Sequence, residues 1–293
     1  MADGVPVRKI LGHKSQKAIN QAAIAVILAL GSVVMVVPFI WMIATAFDLK
    51  AMYDIVFPPR FWPAEPSFQP FRIAFTNVPM LRYIFNTLLV AVGTISVSVF
   101  SAICAGYALA KIRFKGSGIV LVLALSTLMI PGEVTIVSRF FLFLKLNLAN
   151  SYLAFWLPAF AAVTGTFFTR QYMVSIPDSL RESARLDGAG EFRIALQIYM
   201  PLCGALIATL VVLQFLGVWN DFLWPMIILV SPSKYTLQLG IAMFSMNQGG
   251  VGAVSMPAIR MACTAVSIIP VLILYLFLQR FIVESIALSG VKQ

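Results

Sequence analysis

The chain has 293 residues, of which 60% are hydrophobic and 11% carry a charge, and its mean hydropathy is +0.94. Soluble domains have about 25% charged residues, so this composition excludes an ordinary soluble protein and predicts an all-α integral membrane protein. The net charge of +10 is better explained by residues that set membrane orientation and contact anionic lipid than by nucleic-acid binding.

Six apolar segments predict six transmembrane helices. They cover about residues 22–46, 83–110, 119–130, 151–169, 202–229 and 259–281. Each can cross all or part of the hydrocarbon layer, which takes about 20 helical residues. The first segment is too long for the apolar core of a cleavable signal peptide, so we expect it to remain as a helix.

This layout divides the chain into five parts. They are an N-terminal tail (1–17), a first transmembrane helix (18–47), an external segment (48–82), a five-helix core (83–284) and a C-terminal tail (285–293). Lysine and arginine are enriched in the segments between and beside helices that this layout assigns to the cytoplasm. The positive-inside tendency therefore predicts that both termini are cytoplasmic.

A charged segment, residues 175–200, lies between the fourth and fifth apolar segments. It is too polar to cross a bilayer, and its arginines predict a position on the cytoplasmic surface. Ser175 is predicted to cap a first helix, Gly188 to end that helix in a left-handed conformation, and Glu191 to begin a second helix. Two short helices joined at a glycine form a surface suited to docking with another protein.

Polar and aromatic residues interrupt the fifth apolar segment: Gln214, Trp219, Asn220, Asp221 and Trp224. A carboxylate in a membrane segment is costly and normally faces protein or water. One interpretation is that these side chains contact a substrate, by hydrogen bonding or by stacking of the two tryptophans. The other is that the polar groups fix the helix against its neighbours and that Trp224 anchors it at the membrane interface.

No residue pattern indicates an enzyme or a metal site. The cysteines, Cys104, Cys203 and Cys263, are far apart in apolar runs and are expected to be packing residues. The one histidine, His13, lies in the N-terminal tail, and residues 12–15 lack the glycines of a phosphate-binding loop. We therefore expect no cofactor on this chain, and a nucleotide that drove it would be bound by a partner.

The spacing within the charged segment resembles the EAA loop of permease subunits of ATP-driven (ABC) importers. The matching residues are Glu182, Ala184, Asp187, Gly188, Ala189, Ile198 and Pro201. Ser183 stands where the loop usually has a second alanine. Residues 219–225 (WNDFLWP) are similar to the fifth-helix signature of the smaller permease of carbohydrate importers, and residues 286–292 are similar to the tail of that subunit.

The resemblance implies a type I ABC importer permease fold in the bacterial cytoplasmic (inner) membrane. It implies that the chain forms half of a translocation pathway with a homologous second permease. Two ATPase subunits would bind ATP and magnesium, and an external solute-binding protein would deliver the cargo. The residues implied to couple the permease to an ATPase are Arg181, Glu182, Ser183, Ala184, Arg185, Leu186, Asp187, Gly188 and Ala189.

Three further sites are implied by the same resemblance. The tail that would contact the ATPases is Gly290, Val291, Lys292 and Gln293. The residues that would line the translocation pathway are Gln214, Trp219, Asn220 and Asp221, although a structural role of Asn220 and Asp221 is favoured because importers of different sugars share the signature. The loop that would reach the binding protein, or would serve as a flexible linker, includes Asn247, Gln248, Gly249 and Gly250.

Two alternatives remain open at the level of sequence. A secondary transporter driven by an ion gradient would need buried carboxylates or histidines, for which Asp221 and Glu133 are the candidates. An ABC permease for a non-sugar substrate would share the EAA loop but not the fifth-helix signature or the tail. The sugar itself cannot be read, and the external positive charges leave an acidic oligosaccharide such as alginate open.

Overall fold

Helices make up the regular structure of this computed structural model, which describes residues 7–52, 58–247 and 256–290. The α-helices are α1 (Val7–Ala46), α2 (Gln69–Asn77), α3 (Met80–Lys111), α4 (Ser117–Thr127), α5 (Ile136–Lys145), α6 (Leu153–Trp156), α7 (Val163–Val174), α8 (Ser179–Leu186), α9 (Glu191–Ile194), α10 (Met200–Leu202), α11 (Gly204–Asn220), α12 (Leu223–Ile228), α13 (Leu237–Asn247) and α14 (Pro257–Gly290). A π-helical turn, Ala195–Tyr199, joins α9 to α10. The prediction of an all-α protein is confirmed.

Three of these helices are long and apolar enough to cross a membrane without interruption. They are Asn20–Ala46 within α1, the whole of α3, and Pro257–Phe277 within α14. Two further pairs pass the same test together but are bent by about a right angle. Ser117–Thr127 with Gly132–Lys145 bends by 86°, and Glu191–Leu202 with Gly204–Asn220 bends by 85°. By length and composition, the described residues therefore hold three helices that could each cross a membrane, or up to five spans if each bent pair counts as one.

The predicted fourth and fifth apolar segments are not single helices. Residues 151–169 divide into α6, a 3-10 turn at Pro158–Phe160 and the first half of α7, because Pro158 has no N–H to continue the helix before it. Residues 202–229 divide at Asp221, which is extended. Its carboxylate accepts a hydrogen bond from the N–H of Trp224 (3.3 Å) and so begins α12 as a separate helix.

The chain forms two compact units, and the smaller contains residues 1–74 and 248–265. In it, α1 is exposed along its most apolar stretch. The external segment folds back around the buried carboxylate of Asp48, which accepts hydrogen bonds from the N–H groups of Lys50, Ala64 and Glu65 (3.0–3.2 Å). These three bonds satisfy a charge that would otherwise be costly to bury.

The larger unit contains residues 75–247 and 266–293 and is built around α3. Small residues let α7 approach α3 closely: a side-chain carbon added to Gly106 would collide with Thr169, and one added to Gly165 would lie 2.9 Å from Ala102. Ala102 and Gly106 therefore lie where α3 and α7 pack closely. This packing is typical of membrane helices, where small residues allow backbones to approach.

One hydrophobic cluster of the larger unit lies directly against the charged segment. It includes Ile103 and Tyr107 of α3, Met173 of α7, and Ile194 and Tyr199, all of them buried. Burying a large apolar side chain contributes about 1.5–3 kcal/mol. The cluster therefore gives the polar segment a firm apolar base next to α3.

Candidate coupling site

The charged segment folds as two helices joined by a glycine turn. The first helix, α8, ends at Leu186, and Gly188 has a φ of +80°. The N–H of Gly188 donates to the carbonyl of Arg185 (3.0 Å), and the N–H of Ala189 donates to the carbonyl of Ala184 (2.9 Å). This pair of bonds is a Schellman cap, which favours glycine at the left-handed position. The predicted helix end at Gly188 and second helix start at Glu191 are both confirmed.

The predicted cap at Ser175 is wrong. Ser175 ends α7 rather than beginning the next helix, and its hydroxyl donates to the carbonyl of Tyr172 (2.7 Å). Because α7 continues to Val174, the last carbonyls of that helix are the nearest acceptors for the serine hydroxyl. The residue immediately before α8 is Asp178.

The carboxylate of Glu191 ties three helices together. It accepts hydrogen bonds from Arg181 of α8 (Nε 3.1 Å, Nη2 3.0 Å) and from the hydroxyl of Tyr107 of α3 (2.5 Å), and it forms an ion pair with Nε of Arg185 of α8 (2.6 Å). The side chains of Arg181 and Glu191 are only 17% and 29% exposed to solvent. Charge-assisted bonds of this kind are about twice as strong as neutral ones, so this cluster, the Glu191 clamp, fixes α8 to α9 and α3.

A second tie joins the end of α3 to the residues before α8. The ammonium of Lys111, whose side chain is 4% exposed, donates to Oδ1 of Asp178 and to the carbonyl of Ile176, both at 2.6 Å. It also lies 5.6 Å from the centre of the Tyr199 ring. The hydrogen bond from Lys111 lowers the pKa of the Asp178 carboxyl. The Asp178 carboxylate therefore stays ionised at neutral pH, and its ion pair with Lys111 is lost only as the pH falls through that lowered pKa.

Sequence reasoning did not predict these ties. It assigned coupling roles to residues 181–189 but none to Tyr107, Lys111, Asp178 or Glu191, which hold the segment in place. Tyr107 precedes Glu191 by 84 residues, and no local spacing relates the two. Lys111 likewise precedes its partner Asp178 by 67 residues. Its burial next to Asp178 depends on the packing of α3 against the charged segment, which the sequence does not reveal.

The outer surface of the charged segment is exposed and mixes apolar with charged groups. Leu186 is 89% exposed, Phe192 61% and Leu180 43%, whereas Ala184 is buried against the cluster beneath. A recess of about 230 Å³ lies beside α8, lined in part by Ala184, Asp187, Ala189, Arg193, Ile194 and Gln197. Exposed large apolar residues beside a rim of charges are typical of a protein docking surface. That an ATPase occupies it stays a prediction.

Trp219 and Trp224 are packing residues. Trp219 is 1% exposed, its ring stacks on Phe215 with centroids 5.2 Å apart, and its Nε1 donates to the carbonyl of Ser267 (3.0 Å). Trp224 is 4% exposed and donates from Nε1 to the carbonyl of Ala154 (3.2 Å). Both rings therefore lie inside the chain. This burial corrects the predictions that either ring stacks on a substrate and that Trp219 lines the pathway. It also corrects the prediction that Trp224 is an interfacial anchor.

The remaining polar residues of this region make local or interhelical bonds. Nε2 of Gln214 donates to the hydroxyl of Ser98 (3.1 Å), which joins α11 to α3. The amide of Asn220 donates to the carbonyl of Leu216 (3.0 Å) while its side chain stays exposed. These bonds agree with the structural role favoured for the signature, and a role of Gln214, Asn220 and Asp221 in the pathway stays a prediction.

Two implied contact sites lie largely outside the described residues. Asn247 is the last residue of α13 and Gly290 is the last residue of α14, but residues 248–250 and 291–293 are not among those described. Across the described ranges, no group of three or more histidine, cysteine, aspartate or glutamate side chains could hold a metal ion.

Fold and site together define a helical membrane protein with a charged two-helix segment between its spans. Residues 18–287 match the family described as the binding-protein-dependent transport system inner membrane component. The chain belongs to this family, whose members are subunits of transporters and are not themselves enzymes.

Three curated relatives cover most of the chain. The arabinooligosaccharide transport permease AraQ of Halalkalibacterium halodurans is 36% identical over 71% of this chain and 72% of its own length. The diacetylchitobiose uptake permease NgcG of Streptomyces coelicolor is 31% identical over 89% and 85%. The sn-glycerol-3-phosphate transport permease UgpE of Yersinia pestis is 31% identical over 89% and 94%.

A solved structure has the same fold. It belongs to a bacterial ABC transporter that imports the acidic polysaccharide alginate, with a TM-score of 0.78, 22% identity, and coverage of 96% of this chain and 100% of that one. A second, of an alginate transporter bound to a periplasmic protein carrying an alginate pentasaccharide, has a TM-score of 0.60 at 17% identity. The predicted type I importer permease fold is confirmed.

Proposed function

We propose that this chain is a permease subunit of an ATP-driven importer of sugars or oligosaccharides. The observation that carries the proposal is the match to a permease for arabinooligosaccharides over 72% of that protein's length. The similarity to a diacetylchitobiose permease supports the same substrate class. The chain would form half of a translocation pathway together with a homologous second permease.

The exposed surface of α8 would dock onto one of two ATPase subunits, which would bind ATP and magnesium. Leu186 supplies an exposed apolar contact there, surrounded by the polar groups of Glu182, Ser183 and Asp187. The tail from Gly290 onward would add a second contact to the ATPases. Binding of this kind lets a partner bias the permease between two conformations, provided that it prefers one of them.

The two ties at the base of α8 explain how motion would reach the spans. The Glu191 clamp and the Lys111–Asp178 pair both end on α3, and α3 packs along α7 and against α11. A displacement of α8 would therefore also move α3, which a flexible linker between the two helices would not allow. An external binding protein would deliver the cargo at the other end of the spans, with the loop after Asn247 as its contact.

Reconstitution in vesicles tests this proposal. The chain is assembled with its second permease, ATPase subunits and binding protein, and uptake of arabinotriose, diacetylchitobiose and an alginate trisaccharide is measured with and without ATP. Uptake of at least one saccharide that depends on ATP and on the ATPase is expected. Uptake that persists without the ATPase and is abolished by an ionophore would contradict the proposal and favour a gradient-driven transporter.

A non-sugar cargo is the second candidate, because a permease for sn-glycerol-3-phosphate is 31% identical over 94% of its length. The same vesicles measure it directly when glycerol 3-phosphate is added to the panel. ATP-dependent uptake of this compound without uptake of any saccharide would assign the chain to that class.

A further inference from the structure

A pocket of about 310 Å³ opens at the end of α3 that lies opposite the coupling site. It is formed by the residues before and at the start of α3, by the loop around Tyr235 and by α13. Its lining includes Asn77, Val78, Tyr83, Tyr235, Met243 and Phe244. This volume is at the lower end of the range for small-molecule sites, about 300–1,000 Å³, and suits one or two sugar rings.

The walls of this pocket are held rigidly. The amide of Asn86 donates to the carbonyls of Ser233 (3.0 Å) and Tyr235 (2.9 Å), which fixes the loop to α3. The ring of Tyr83 lies so close to Gly240 that an added side-chain carbon there would collide with it. Pockets whose walls are already ordered lose less conformational entropy when they bind a ligand. The pocket is therefore suited to bind without rearrangement.

The chemistry of the lining matches a carbohydrate. Tyr83 and Tyr235 have ring centroids 6.3 Å apart, and Phe244 adds a third aromatic surface. Asn77 is exposed and carries an amide that can donate and accept hydrogen bonds. Aromatic rings pack against the C–H faces of sugars, and a few amide and hydroxyl groups orient their hydroxyls.

The lining is also uncharged. Among the described residues that line the pocket none is acidic or basic, and Arg82, next in sequence to Tyr83, is not one of them. A carboxylate or phosphate placed here would lose hydration without gaining an opposite charge within the pocket. The lining therefore favours a neutral saccharide over a uronate or a sugar phosphate.

We propose that this pocket, the Tyr83–Tyr235 pocket, is a receiving site for a neutral mono- or oligosaccharide before it enters the translocation pathway. The proposal rests on the proposed function and names the substrate class more narrowly. It places the first contact of the cargo on this chain at a site distinct from Gln214 and Asn220.

Saturation-transfer NMR on the complete permease–ATPase complex in nanodiscs tests the site without the binding protein. The probes are arabinotriose, diacetylchitobiose and an alginate trisaccharide. Asn77→Ala and Tyr235→Ala are expected to remove most of the transfer to the neutral probe that binds, and, in the reconstituted vesicles with the binding protein, to raise its KM for uptake about tenfold. Asn77 is exposed, so its variant is expected to fold; the matched controls are Tyr275→Ala, on the exposed side of α14, and Arg82→Gln.

Three results would overturn this inference. The first is unchanged saturation transfer in both pocket variants. The second is stronger transfer to the alginate trisaccharide than to either neutral probe, lost in Arg82→Gln. The third is weaker association of the external binding protein in the pocket variants with saccharide contacts intact, which would make the pocket a protein contact. Saccharide binding here without ATP-driven uptake would instead support the site and count against the proposed function.

Discussion

Glu191 has a structural role that the sequence does not reveal. Its carboxylate accepts hydrogen bonds from Arg181 and Tyr107 and forms an ion pair with Arg185, at distances of 2.5–3.1 Å. Without it, two guanidinium groups of α8 would face each other with no shared counter-charge. The residue therefore belongs to the mechanical connection between α8 and the spans, although it lies outside residues 181–189, which the resemblance implied as the ATPase contact.

Replacing Glu191 by glutamine tests this connection. The neutral amide keeps the shape of the side chain but removes the charge, so α8 is expected to detach more often from α3 and α9. Hydrogen exchange of the α8 amides should become about 5–30-fold faster, a loss of about 1–2 kcal/mol for charge-assisted bonds that remain partly exposed. The amount of protein in the membrane should not change.

Glu182→Gln is the matched control, because Glu182 is exposed on α8 and its substitution removes the same charge. It should leave the exchange of the α8 backbone unchanged. Equal acceleration in both variants would mean that the total charge of the segment, rather than the Glu191 clamp, holds α8.

Burial decided which residue-level predictions failed. Trp219 and Trp224 lie in a polar signature; from sequence alone both were considered for stacking on a substrate, and Trp224 also for anchoring at the membrane interface. Their exposed fractions of 1% and 4% depend on which neighbours pack around them. Sequence patterns report which residues occur close together along the chain, but burial inside a helical bundle depends on contacts such as that between Trp219 and Ser267.

At the level of elements, the glycine turn after α8 was predicted correctly, whereas the cap at Ser175 and the continuity of the fourth and fifth apolar segments were not. The end of α8 at Gly188 follows from the conformational freedom of glycine, which the sequence states directly. The bend of 85° between Leu202 and Gly204 has no proline at its vertex. The bend lies where the charged segment ends and α11 begins. The hydrophobic pattern continues through it, so the pattern does not indicate a bend there.

Gly188→Pro tests the glycine turn. Proline fixes φ near −65° and has no N–H, whereas Gly188 has a φ of +80° and donates to the carbonyl of Arg185. The turn is expected to open at a cost of about 3 kcal/mol, which displaces α8 from its base. Uptake by the reconstituted importer should fall at least tenfold while ATP hydrolysis persists and membrane insertion is normal.

Gly190→Ala serves as the control for that experiment. Gly190 has a φ of −72°, and an added side-chain carbon would meet no atom within 4 Å. Its variant should transport like the natural protein. If Gly188→Pro also retained full uptake, the turn would have no part in coupling.

At the scale of the whole molecule, α3 relates the two proposed working ends. Its 32 residues span about 48 Å, more than the roughly 30 Å of a hydrocarbon core. The Tyr83–Tyr235 pocket lies at its first turn, and Lys111 at its last turn holds the charged segment through Asp178. The saccharide site and the coupling surface are therefore expected on opposite faces of the membrane.

The positive-inside tendency assigns the face that carries α8 to the cytoplasm, and cysteine labelling can test that assignment. In a background with the natural cysteines replaced, Ser183→Cys should react with a membrane-impermeant maleimide only in inside-out vesicles. Asn77→Cys should react only in right-side-out vesicles, because it precedes the opposite end of α3. Leu28→Cys, in the middle of the exposed apolar part of α1, should react in neither. Labelling of Ser183→Cys from outside would invert the topology, and the ATPase could then no longer reach α8.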